Sequence, residues 1–141
     1  MLSSIVVGTD GSETSHEAVR QAAELAKRFD ARLHIVCAYT PVAVRVQSGS
    51  PEQGEWNVGP HVMGEQVLSR ASALARGVEV ETHPCPGDAP EALIEIAEQE
   101  RADLIVVGNK GMHGARRFML GNVPNKISHN APCSVYIVHT T

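Results

Sequence analysis

Three glycines at fixed spacing mark the stretch of this sequence best suited to chemistry. Gly108 and Gly111 are separated by two residues, and Gly121 follows Gly111 after nine more. They come directly after Asp103-Leu104-Ile105-Val106-Val107, an apolar, β-branched run of the kind buried in a parallel sheet. Glycines where a strand delivers the chain toward a helix let the backbone approach a ligand closely. Unpaired N–H groups there attract anions, phosphate above all. The same glycines also fit a flexible strand-to-helix connection, so taken alone they leave both readings open. A second loop, Gly8-Thr9-Asp10-Gly11-Ser12, follows an earlier β-branched strand and holds the only acidic residue in either loop, Asp10.

Several chemistries are excluded by spacing. Lys110 precedes Gly111, so it cannot serve as the lysine of a Walker A loop, which must follow the second glycine. The first loop lacks the spacing of a dinucleotide fingerprint. There is no Gly-x-Ser-x-Gly elbow, no HExxH and no evident acid–base pair beside the glycines, which argues against an efficient hydrolase. His83 and Cys85 share one segment, but two donors without a second pair fall short of a metal site. Cys37 and Cys133 lie in apolar strand segments and read as core thiols. His113 reads as an exposed loop residue. Arg116 and Arg117 could neutralise a phosphate, but as sequence neighbours they do not both face inward, so at least one is expected to face solvent.

The elements that must position these loops follow from periodicity. The 141 residues suit a single domain spanning 1–141, with a formal net charge of -4 and thus no general footprint for nucleic acid. No apolar run is long enough to span a membrane, no leader-like segment opens the chain, and three scattered cysteines suit a reducing, cytoplasmic setting. Ser4–Gly8 reads as a strand. Ser12 then caps a helix whose inner face carries Ala18, Val19, Ala22, Ala23, Leu25, Ala26 and Phe29. A second strand is expected over Leu33–Ala38. Residues 41–60 form a long, turn-rich loop that holds Trp56, read as packing on the domain edge or on a partner. A helix over His61–Arg76 is expected to bury Val62, Met63, Val67, Leu68, Ala71, Leu74 and Ala75. An edge strand is expected over Val78–Thr82, and a turn over Pro84–Asp88. Asp88 caps a third helix with Ala92, Leu93, Ile96 and Ala97 inward; a short helix near Asn122–Asn130 and a last strand over Cys133–His139 close the chain.

Five strands alternating with four helices imply an α/β fold, a three-layer, doubly wound parallel sheet. Such sheets bind ligands beyond the strand C-termini where strand order reverses. If strands one and four are neighbours at the centre, Thr9-Asp10 and Gly108-Asn109 meet there.

The glycine spacing, the Gly8-Thr9-Asp10-Gly11-Ser12 loop and the closing Ala131-Pro132-Cys133-Ser134-Val135 together resemble the universal stress protein family over essentially the whole chain. The resemblance implies a Rossmann-like sheet, akin to adenine nucleotide alpha hydrolases, in the order 3-2-1-4-5. It also implies a homodimer paired through the final strand, Cys133–His139, and binding of ATP, a ligand that can bring Mg²⁺ with it though the sequence does not call for the ion. On that template Thr9 and Asp10 lie at the adenosine end and Ala38 borders the adenine. Val107, Gly108, Lys110 and Gly111 approach ribose and phosphates, and Gly121, Asn122 and Val123 meet the terminal phosphates. Asp10 would then bond ribose, although it can also cap the first helix together with Ser12. Asn122 stands where the family usually has Ser or Thr, and Pro124 removes a further backbone donor. Actinobacterial-type members with a similar ending are associated with cyclic AMP, so cyclic AMP or AMP is the second ligand expected. The function implied is a non-catalytic, nucleotide-binding regulator or sensor in stress response. A partner-binding dimer without nucleotide and a slow ATPase are the alternatives.

Overall fold

The structure is a computed structural model that describes residues 2–41, 59–109 and 123–140. In chain order its elements are β1 (Ser4–Gly8), α1 (Glu13–Phe29), β2 (Arg32–Tyr39), α2 (Pro60–Ala73), β3 (Val80–Pro86), α3 (Ala89–Gln99), β4 (Leu104–Gly108), α4 (Val123–Asn130) and β5 (Ser134–Val138). The strands form one parallel sheet in the order β3-β2-β1-β4-β5, as the resemblance implied. Alternate residues of each central strand feed two apolar layers. Ile5, Val7, Leu33, Ile35 and Val106 pack under α1 and α2, while Val6, Val36, Ile105 and Val107 pack under α3 and α4. β1 and β4 are therefore apolar on both faces, which is why they read as unbroken hydrophobic runs. Burying a side chain such as Ile105, fully hidden here, is worth about 1.5–3 kcal/mol.

The β1–β4 pairing brings Thr9-Asp10 and Gly108-Asn109 to the same end of the sheet. At the opposite end Asp103 Oδ2 accepts from the backbone N–H groups of Ser3 and Ser4, at 2.8 and 3.1 Å, and from the Ser3 hydroxyl at 3.1 Å. The Asp103 N–H in turn donates to the Ser4 carbonyl at 2.7 Å. This clasp supports the register Val6↔Ile105, which carries Gly8 and Gly108 toward the same edge.

Four expectations need correction. The β3 strand runs through Pro84, Cys85 and Pro86 rather than ending at Thr82. The Leu33 N–H donates to the Glu79 carbonyl and the Gly87 N–H to the Tyr39 carbonyl, so odd-numbered peptide groups face β2 and even-numbered ones face outward. Both prolines thus sit where no ladder N–H is needed, the position an edge strand allows. Along α2 the buried positions are Gly64, Leu68 and Ala71, whereas Val62 and Met63 are exposed. Gly64 lies on the inner face, where a Cβ would stand in ordinary contact with the Tyr39 ring, 3.6 Å away. Phe29, at the last position of α1, is likewise exposed. Asp88 does occupy the α3 N-cap, but through its backbone carbonyl, which accepts from Ala92 N–H, and not through its side chain. Among the described residues no helix is long and apolar enough to cross a membrane.

Candidate functional site

Where β1 and β4 lie side by side, their C-terminal ends open into a cleft lined by Gly8, Thr9, Asp10, Ser15, Val36, Ala38, Ala89, Leu93, Val107 and Gly108. Of the residues singled out from sequence, this brings together Thr9, Asp10, Ala38, Val107 and Gly108. Val123 is buried at the start of α4, in the same apolar cluster as Ala38 and Val107. Lys110, Gly111, Gly121 and Asn122 lie outside the described residues, as do Trp56, His113, Arg116 and Arg117. The walls formed by Ala89 and Leu93 of α3 were legible only as core of that helix. Ser15 carried just its place three residues after the cap. Gly8 is where α3 comes close: a Cβ there would meet Leu93 Cδ1 at 3.0 Å.

Four polar side chains are buried among the described residues, and three of them, Thr9, Asp10 and Ser15, belong to this cleft. Their network begins at the helix cap. Ser12 accepts from the Ser15 N–H at 3.2 Å, and Asp10 Oδ1 accepts from the Ser12 N–H at 2.9 Å, closing an Asx turn before α1. Thr9 Oγ1 lies 2.9 Å from Ser15 Oγ and accepts from the Gly11 N–H at 3.1 Å. Gly11 takes φ +86, a left-handed conformation natural to glycine. Thr9 is thereby committed to shaping the loop. Asp10 is committed by half: Oδ2 is buried and has no hydrogen-bond partner among the described residues. Leaving a carboxylate oxygen in that state costs about 1–3 kcal/mol or more, so the orphan acceptor is a feature that folding does not explain.

On the β4 side, Asn109 holds the end of the sheet. Its N–H donates to the Val138 carbonyl at 2.9 Å, and its Oδ1 accepts from the Thr140 N–H and hydroxyl at 2.8 and 2.9 Å. The glycine stretch thus departs from a fixed anchor. The cleft has apolar flanks, Val36, Ala38, Leu93 and Val107, and a polar floor at Asp10, an arrangement suited to a flat apolar group carrying hydroxyls. Burial, followed by the charges of Asp10 and Cys85, pushes the Cys37 thiol up to about 11. Burial also raises the Cys85 and Cys133 thiols, so all three free cysteines favour the protonated, poorly nucleophilic form.

A second polar group lies elsewhere. His83 is drawn not into a site with Cys85 but to His34 of β2, with His34 Nδ1 and His83 Nε2 3.0 Å apart. Glu81 stands 3.8 Å from His34 Nδ1, the nitrogen that also meets His83, and Glu100 stands 3.8 Å from His34 Nε2. Burial is the first cause that lowers the His34 pKa; Glu100 pulls it up and His83 pushes it down. Sequence inspection missed this group because its members come from three separate elements.

Comparison with known proteins agrees with the fold. The profile of the universal stress protein family matches residues 1–139. A universal stress protein of Mycobacterium tuberculosis is 38% identical over 141 residues, 97% of this chain and 96% of that one. Another, from Methanocaldococcus jannaschii, is 34% identical over 139 residues, 95% of this chain and 80% of that one. Among solved structures, a universal stress protein in complex with cAMP is 31% identical with a TM-score of 0.73, the match covering 99% of this chain and 98% of that one. This chain belongs to the universal stress protein family.

Proposed function

We propose that this chain holds an adenine nucleotide in the β1–β4 cleft and acts as a nucleotide-dependent regulator in stress physiology, without turning the ligand over. The observation that carries the proposal is the orphaned Asp10 Oδ2 at the polar floor of an apolar slot. A ribose hydroxyl would satisfy it, with the base between Val36 and Ala38 on one side and Leu93 on the other. The glycine spacing beyond Gly108 would let phosphates approach backbone N–H groups, including that of Val123 at the head of α4. With Asp10 the only acid in either crevice loop and already spent on the helix cap and the sugar, no general base remains for hydrolysis. Three free thiols suit a cytoplasmic location, and the free edge of β5 suits pairing of two chains.

ATP is the ligand suggested by the full glycine pattern. Cyclic AMP is the second reading, favoured by Pro124, which withdraws a donor from the head of α4, and by the relative solved with cAMP. Ligand released by denaturing freshly purified protein, identified by mass, and titration with ATP, AMP and cyclic AMP with and without Mg²⁺ test the proposal. Saturable binding of at least one of them is expected. Failure of all three at millimolar concentration would overturn it, and steady phosphate release abolished by Asp10→Ala would replace it with the enzyme reading.

A further inference from the structure

We propose that His34, His83, Glu81 and Glu100 form a binding site for a divalent first-row transition ion, zinc foremost, beside the β2–β3 edge of the sheet and separate from the residues that line the nucleotide cleft. One donor atom from each of the four residues lies within 4.8 Å of all the others. They are brought together by three elements distant in sequence: His34 from β2, Glu81 and His83 from β3, and Glu100 from the C-cap of α3. The register pairs His34 with Glu81 and sets His83 one pleat further along the same face, beside Val36. His34 precedes Val36, the nearest cleft-lining residue of β2, by two positions, so the group sits about 7 Å along the strand from the cleft wall.

The donor set selects the ion. Two imidazole nitrogens with two carboxylates suit zinc and its neighbours, whereas calcium and magnesium prefer oxygen alone. Two nitrogens bound to one zinc at about 2.0–2.1 Å in tetrahedral geometry stand roughly 3.4 Å apart. The observed separation of 3.0 Å requires a small opening, and the Glu100 carboxylate, which faces His34 Nε2, must swing toward the Nδ1 side where His83 and Glu81 stand. The two carboxylates would balance a dication. Arg32 does not block this, because Glu79, at 2.6 Å, remains its partner when Glu81, at 3.5 Å, turns to the metal.

Two features point to a cation independently of the clustering. His34 is 1% exposed and is the only buried polar side chain among the described residues outside the nucleotide cleft. Glu100 puts a carboxylate at the C-terminal end of α3, whose last turn carries no basic residue, where the helix dipole disfavours negative charge. An imidazole–imidazole hydrogen bond accounts for the His34–His83 contact but leaves both carboxylates, at 3.8 Å, outside hydrogen-bonding range. A bound ion gives all four residues one partner, tying the edge strand β3 to the end of the helix that walls the cleft.

Titration of the full chain with zinc against a chromophoric chelator, with cobalt substitution read in the visible spectrum, tests the site. One ion per chain is expected, with tetrahedral cobalt bands that lack thiolate charge transfer. His83→Gln and Glu100→Gln, at surface-accessible positions and checked for native circular dichroism, should each weaken zinc by about tenfold or more. His61→Gln, which alters the separate His61–Glu65 pair at 3.2 Å, should leave affinity unchanged. Absence of binding at millimolar zinc, equal affinity in the His83 and Glu100 variants, or a thiolate signature would each overturn the proposal.

Discussion

Asp10 divides its carboxylate between two tasks, and the division can be tested one oxygen at a time. Oδ1 holds the Ser12 N–H and so fixes the entry to α1, while Oδ2 stays buried without a partner among the described residues. Replacing Asp10 with Asn keeps an acceptor for Ser12 and turns the second oxygen into an amide donor, which cannot accept from a ribose hydroxyl. Hydrogen bonds to a charged group are worth about 1.5–3 kcal/mol, so Asp10→Asn should weaken adenine-nucleotide affinity by roughly 10- to 150-fold. The melting temperature of the free protein should hold or rise, because a buried unpaired charge disappears. Calorimetric titration and a thermal melt of the same sample read both effects. A fall in melting temperature with affinity unchanged would assign Asp10 to the helix cap alone.

At the scale of elements, the clasp between Asp103 and the start of β1 makes stability depend on pH. Two backbone N–H groups and a hydroxyl on Oδ2 hold the Asp103 carboxyl below its ordinary value, the Ser3 N–H contributing most. A carboxyl depressed in the folded state adds stability above its unfolded pKa and loses it as pH falls through the folded value. After screening by solvent, Asp103→Asn should cost about 0.5–1 kcal/mol at neutral pH in urea denaturation, and the difference should vanish in acid below the carboxylate range. A constant difference across that range would mean that the ionised form is not what the clasp uses. The elements this clasp aligns were largely legible in sequence, because β1, β4 and the inner face of α1 announce themselves by β-branched runs and helical spacing. The end of β3 is not legible, because Pro84 and Pro86 read as a turn in sequence, whereas in the sheet their nitrogens face away from β2. The α2 register was misjudged because Gly64, with no side chain to signal burial, holds the inner face in place of Val62 and Met63. Of the cleft, Thr9, Asp10 and Gly108 were named from the two loop motifs, and Ala38 and Val107 from the family resemblance. Leu93 and Ala89 could not be, since only tertiary packing turns a core-facing helix residue into the wall of a site.

At the scale of the whole molecule, the two edges of the sheet are unlike, and the difference directs association. Along β3 the outward peptide groups include those of Pro84 and Pro86, which have no N–H to offer another strand. Along β5 no proline interrupts Ser134–Val138. Asn109 N–H bonds the Val138 carbonyl, so the peptide groups of Val135 and Ile137 face outward and are free to pair. Tyr136 and Ile137 add exposed apolar surface at 37% and 43%. A second chain is therefore expected at β5 and not at β3, which would leave both clefts of the dimer open. Ile137→Arg places like charges face to face across such an interface while leaving the fold and the cleft intact. Sedimentation should find the parent chain dimeric and the variant monomeric at micromolar concentration, with the same nucleotide affinity in both. A variant that remains dimeric would move the interface off β5, because two arginines in register on paired edge strands repel and have no carboxylate of β5 to answer them.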